Sequence, residues 1–272
     1  MAKKRFFTIA TKWRLRLINP AMKLTNTLLT KISPALATAA FVAFAQSSTA
    51  SMIFQTGHGD IAVGFDEGEF EFGWHLGEGE DIAVVDGVVI DDVEFEANEL
   101  IARVSEVVTV EASAAPALLA GTGAQVGSVI YLISQDSRGV ISPVVGLDTE
   151  ELEQPTGVTW SDVTYTFVGA EGPGLFSLFE VDNGAIDFGF SETLGNNSFT
   201  FAAGGHEERN FAFTELGTYD ITITAEATRT ENGLSQDFNA TETFTFQVIP
   251  EPSSALLLAG STLGLLLLRR RN

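Results

Sequence analysis

Tyr219-Asp220-Ile221-Thr222-Ile223-Thr224-Ala225 alternates large apolar and short polar residues without a break. A period of two places every second side chain on the same face, so this stretch predicts a strand with one face buried and one in water. Its β-branched residues suit that pleated geometry. Downstream, Phe244-Thr245-Phe246-Gln247-Val248 repeats the pattern as a closing strand. Upstream, Val158 to Val168 places Val163, Tyr165 and Phe167 on one face and Thr164 and Thr166 on the other. Leu175 to Val181, Ser198 to Ala202 and Asn210 to Phe213 read as further strands. Gly172-Pro173-Gly174 and Asp182-Asn183-Gly184 punctuate them as turns.

The first half has the same texture. Ile61-Ala62-Val63-Gly64-Phe65 and Glu69 to Leu76 form a predicted hairpin about Asp66-Glu67-Gly68. Gly77 to Asp81 is a loop. Val84-Val85 and Val88-Val89-Ile90 flank Asp86-Gly87, the signature of a type I′ hairpin turn. Ile101 to Val110 reads as one β-branched run, and Val126 to Ile133 as another strand. Ala112 to Thr122 lacks strand texture, and the reading favours an irregular crossing over a short helix. Gly146 to Leu152 reads as a loop into one helical turn with Asp148 as its N-cap. Short strands about 8–12 residues apart predict an all-β, antiparallel sandwich, either one large or two small immunoglobulin-like ones.

The charge is divided by segment. All 36 acidic residues lie between Asp60 and Glu251, where Arg103, Arg138, Arg209 and Arg229 are the sole basic residues other than histidine, so this part stands near −32. Such a surface excludes nucleic acid and anionic lipid as partners and stays soluble by self-repulsion. It also offers carboxylates to divalent cations. No cysteine is present, which excludes thiolate metal sites and thiol catalysis.

The ends read as addresses. Residues 1–50 hold eight lysines and arginines and an apolar stretch from Pro34 to Ala45, as in a signal peptide with a long basic lead. Ala43-Phe44-Ala45 and Ser48-Thr49-Ala50 both fit the small-x-small cleavage rule, with Ala50 favoured, and Met22 offers an alternative start. Residues 51–249 form the acidic exported domain, and 250–272 the tail. In the tail, residues 253–268 are uncharged and leucine-rich, and Arg269, Arg270 and Arg271 follow. As a helix this segment spans roughly 24 Å, enough for a membrane segment once the arginines snorkel. The terminal arginines set its C-terminus in the cytoplasm.

Pro250-Glu251-Pro252, the apolar span and the arginine cluster together resemble the PEP-CTERM sorting signal of Gram-negative bacteria. The resemblance covers 248–272. It implies Sec export, a membrane-anchored precursor, cutting at or near Pro250-Glu251-Pro252 by an exosortase, and release to the cell surface or extracellular matrix. A second resemblance covers most of 57–248. Gly205-His206-Glu207-Glu208-Arg209-Asn210-Phe211-Ala212-Phe213-Thr214, followed by Gly217-Thr218-Tyr219, is similar to a motif of choice-of-anchor M (actinobacterial surface-anchored) domains. Gly57-His58-Gly59-Asp60, Gly146 to Leu152 and Gly172 to Phe176 match its other blocks. Glu208 stands where the pattern has a second histidine, and Phe211 where it has tryptophan. The resemblance implies a β-sandwich without established enzyme activity, and a link to metal handling through the neighbours of some relatives.

His58, His75 and His206 are the only histidines, and all fall in the resembling blocks. His58 and His75 flank one predicted hairpin, so strand pairing is expected to draw them together. Three imidazoles, or two with Glu208 or Asp60, would make a zinc- or copper-type site. Calcium on the carboxylates is the alternative, although no EF-hand loop is present. No Gly-x-Ser-x-Gly elbow, His-Glu-x-x-His or P-loop occurs, so the chain reads as a non-enzyme. The leading expectation is a structural, adhesive or polysaccharide-binding surface domain. A surface metal-binding protein using His58, His75 and His206 comes second, and a carboxylate-based hydrolase third.

Overall fold

A computed structural model describes residues 51–250, apart from 67, 78–81, 137, 138, 140 and 141. The signal-peptide and membrane-segment expectations, and Glu251 to Arg271 of the sorting signal, lie outside the described residues. None of the described helices is long and apolar enough to cross a membrane.

The strands are β1 Met52–Asp66, β2 Glu69–Leu76, β3 Ala83–Val85, β4 Val88–Ile90, β5 Val93–Glu96, β6 Leu100–Val104, β7 Glu106–Thr109, β8 Val129–Ile133 and β9 Pro143–Asp148. They continue as β10 Val158–Trp160, β11 Val163–Glu171, β12 Phe176–Asp182, β13 Ala185–Ser191, β14 Ser198–Phe201, β15 His206–Glu208, β16 Asn210–Phe213, β17 Gly217–Glu231 and β18 Leu234–Val248. A larger sheet runs β14-β11-β17-β18-β6-β1-β2-β5, with β10 beside β17, β9 and then β15 on β1, and β3 and then β4 also on β1. The smaller sheet runs β13-β12-β16-β8-β7.

The two sheets pack face to face through aromatic rings. Phe213 meets Tyr219 at 4.9 Å and Phe246 at 5.5 Å, and Phe167 meets Phe190 at 5.4 Å. Apolar rings on the inner faces of alternating strands account for this layer, since burying each large side chain contributes about 1.5–3 kcal/mol. The all-β sandwich is as expected, but it is not wholly antiparallel. β1 pairs in parallel with β6 and with β9, and β18 pairs in parallel with β6. Parallel pairs need long crossovers; the connections from β1 to β9 and from β6 to β18 pass through strands of the smaller sheet, whereas that from β1 to β6 stays in the larger one.

Three local readings change. Ile101 to Val110 contains two strands, β6 in the larger sheet and β7 in the smaller, separated at Ser105. There Ser142 Oγ accepts from the backbone N–H groups of Ser105 and Glu106, at 2.9 and 3.0 Å, and so holds the chain where it changes sheet. Pro116–Thr122 is a helix, α1, with proline in its first turn and Gly123 as a left-handed cap. Gly146 to Asp148 belongs to β9 instead of a loop, although Asp148 does cap the turn after it by accepting from the Glu150 N–H at 2.7 Å. The Asp86-Gly87 turn is as predicted, with φ of 50° and 78°.

Candidate metal centre

The site begins with Gly57-His58-Gly59-Asp60 in β1. Alternation sends His58 and Asp60 to one face and Gly59 to the other. A Cβ on Gly59 would lie 2.1 Å from the Leu76 side chain and 3.0 Å from the Phe54 ring. Glycine therefore lets the core close tightly behind the two polar side chains. Opposite, His58 pairs with Val144 and Asp60 with Gly146 of β9. The third strand in this row is β15, where His206 pairs with Asp148 and Glu208 with Gly146. Gly146 is the gap in the row: a Cβ there would fall 2.2 Å from Asp60 Oδ1 and 3.1 Å from His206 Nε2.

Through that gap the side chains converge. His206 Nε2 lies 3.1 Å from Asp60 Oδ1, and His58 Nδ1 lies 3.6 Å from Asp60 Oδ2. The two imidazole rings meet edge to face, with centroids 5.2 Å apart. One ligand atom from each of His58, Asp60 and His206 falls within 4.8 Å of the others. Around tetrahedral zinc, with bonds of about 2.0–2.1 Å, neighbouring ligand atoms lie roughly 3.3 Å apart, so only small shifts separate this arrangement from a metal sphere. Glu208 Oε1 lies 3.7 Å from the other nitrogen of His58. A carboxylate at that place orients a ligating imidazole and fixes its tautomer.

The electrostatics agree with the geometry. Asp60 is fully buried and His58 nine-tenths buried. Both ring nitrogens of His58, and Asp60 Oδ2, make no hydrogen bond to any described residue. Each buried, unsatisfied polar group costs about 1–3 kcal/mol, so this is an expensive arrangement without a bound cation. The His206 imidazole is raised to about 9, first by its hydrogen bond to Asp60 and then by the Asp60, Glu208 and Asp148 charges, against the opposing effect of burial. The Tyr165 hydroxyl in the neighbouring core is pushed up by burial and by the charges of Asp148 and Asp60. His206 is exposed, its side chain by about a quarter, and is the side from which an ion would enter.

His75 does not join this cluster. Its strand partner is Asp60, as the hairpin requires, but its ring is turned to Asp92 Oδ1 at 3.1 Å and Glu151 Oε1 at 3.7 Å. Glu151 is itself raised to about 7 by burial and then by the charge of Glu94, with which it shares a hydrogen bond. Elsewhere, Asp162, Glu226 and Asp237 line a polar hollow of about 290 Å³ beside β10 and the β17–β18 hairpin. It contains no histidine.

No protein-family model matches the chain, and a search of curated proteins returned no match. The two likenesses described for 57–248 and 248–272 therefore rest on their motifs alone.

Proposed function

We propose that this protein is an exported, surface-directed β-sandwich that binds a divalent transition metal through His58, Asp60 and His206. The observation that supports this is a buried carboxylate flanked by two imidazoles, with both His58 nitrogens and Asp60 Oδ2 making no hydrogen bond to the described residues. Two imidazoles and one carboxylate suit zinc, copper or non-haem iron better than calcium or magnesium. Three protein ligands leave a coordination position open, which suits an ion that is taken up and given away. Of the three histidines, His58 and His206 belong to the proposed ligand set, and Asp60 completes it in place of His75. The proposed address is that of the tail: export, an inner-membrane precursor held by residues 253–268, and release at Pro250-Glu251-Pro252 to the cell surface. A metal site outside the cell, on a chain without thiols, needs no reducing compartment.

Chelator-stripped protein titrated with zinc in a calorimeter tests the site. Wild type is expected to bind, and His206→Gln and Asp60→Asn to lose more than about 100-fold in affinity, because even a residue that only orients a ligand is worth 10–100-fold. Equal zinc binding by wild type and both variants would overturn the assignment.

A further inference from the structure

We infer that His58, Asp60 and His206 form one face of an octahedral iron(II) site, and that the positions opposite them bind a diatomic ligand of the dioxygen class. The inference rests on the metal site proposed above and narrows it to one ion and one class of ligand.

Strand geometry decides the shape of the donor set. His58 and Asp60 stand two residues apart on β1, so both side chains leave one face of the sheet about 6.8 Å apart. His206 joins that face from β15, two strand spacings away across β9, or about 9.6 Å. The alternating residues Ile61, Val145 and Leu147 point the other way, into the core. The three donors therefore approach an ion from the sheet side alone. On an octahedral ion with bonds of about 2.1 Å, cis donors lie roughly 3.0 Å apart and trans donors roughly 4.2 Å apart. Asp60 lies 3.1 Å from His206 Nε2 and 3.6 Å from His58 Nδ1, so each imidazole fits a place cis to the carboxylate. Two imidazoles and a carboxylate on one face of an octahedron leave the opposite face open, which is the arrangement of non-haem iron(II) that reacts with oxygen.

The surroundings keep that set at three and limit what can join it. Among the described residues, no further histidine or carboxylate belongs to the group whose donor atoms lie within 4.8 Å of one another. Glu208 Oε1 lies 3.7 Å from His58 Nε2, the nitrogen other than the one beside Asp60, so it holds the imidazole from behind. Space is tight on the sheet side, where a Cβ at Gly146 would already meet Asp60 Oδ1 and His206 Nε2. Asp60 is fully buried and His58 nine-tenths buried, whereas His206 is exposed. Access past one imidazole suits a diatomic ligand better than a bulky one.

The test uses the whole exported protein, stripped with chelator and loaded with iron(II) in the absence of air. Nitric oxide is the probe, because it occupies an open iron(II) position as dioxygen would and gives a high-spin signal in electron paramagnetic resonance. Wild type is expected to give this signal. Wild type first filled with zinc is expected to lose it, since zinc takes the same three ligands. His206→Gln should lose the signal together with the iron, and Glu208→Gln should keep it at saturating iron(II). The two wild-type arms need no variant, so the test holds even where a substitution prevents folding. Zinc binding by wild type without a nitric oxide signal from the iron-loaded protein would overturn this inference and leave the metal site standing. A signal that survives zinc filling would put the iron elsewhere and overturn the inference, and loss of the signal in Glu208→Gln would overturn the three-ligand face. Absence of both zinc and iron from wild type would overturn the site and the inference together.

Discussion

Replacing Gly146 by alanine probes the candidate centre with a single methyl group. The added Cβ would sit 2.2 Å from Asp60 Oδ1, where a carbon–oxygen contact normally needs about 3.3–3.6 Å. The carboxylate must therefore withdraw by about 1 Å. Asp60 is fully buried, so the movement meets packed neighbours, and overpacking of this kind costs about 1–3 kcal/mol. Withdrawal also breaks the 3.1 Å contact with His206 Nε2, and a hydrogen bond to a charged group is worth about 1.5–3 kcal/mol. Together the expected loss is about 3–5 kcal/mol, which for a domain of this size lowers Tm by roughly 6–20 °C. Thermal unfolding of metal-free protein measures the loss, and zinc titration should show weakened binding in parallel. Gly169→Ala is the control, since a Cβ there meets nothing within 4 Å. If Gly146→Ala unfolds and binds zinc like wild type, the close approach of Asp60 and His206 through β9 is wrong.

Other consequences are open to measurement. In metal-free protein the His206 ring should titrate near pH 9 by NMR, because Asp60 holds its proton; a midpoint near 6.5 would contradict the contact. A folded value raised above the unfolded one means that His206 contributes its stability fully below about pH 6.5 and loses it as pH rises through about 9. Trp74→Ala should cost about 3–5 kcal/mol in denaturant unfolding, since the ring is buried against Phe244 at 5.3 Å and Phe246 at 5.9 Å; a loss under 1 kcal/mol would argue against this core. Changing Pro250-Glu251-Pro252 to alanines should leave the protein in the inner membrane on fractionation, and unchanged release would refute the sorting proposal.

How much of this was legible in the sequence depended on how local each feature is. The β1–β2 hairpin and the Asp86-Gly87 turn are set by alternation and by two adjacent residues able to take positive φ, so they could be read directly. The parallel pairing of β1 with β6 and β9 is set by contacts tens of residues apart, and no periodicity records it. Ile101 to Val110 hid a change of sheet because β-branched residues continue on both sides of Ser105, and the deciding partner, Ser142, lies 37 residues away. Residue chemistry singled out His58, His75 and His206 as candidate ligands, with Glu208 or Asp60 as the alternative to one imidazole. The placing of His75 failed on register: the hairpin sets Asp60, two residues beyond His58, opposite it. The role of Gly146 had no signal in the sequence, since it follows only from three strands meeting side by side.

The central claim is that His58, Asp60 and His206 share one ion, and anomalous diffraction from zinc-soaked crystals of the exported protein tests it most directly. Data collected on both sides of the zinc absorption edge should show a peak bonded to His206 Nε2, to a ring nitrogen of His58 and to the Asp60 carboxylate, at about 2.0–2.2 Å from each. Zinc found only on surface carboxylates, with none bonded to His58 and His206 together, would contradict the account.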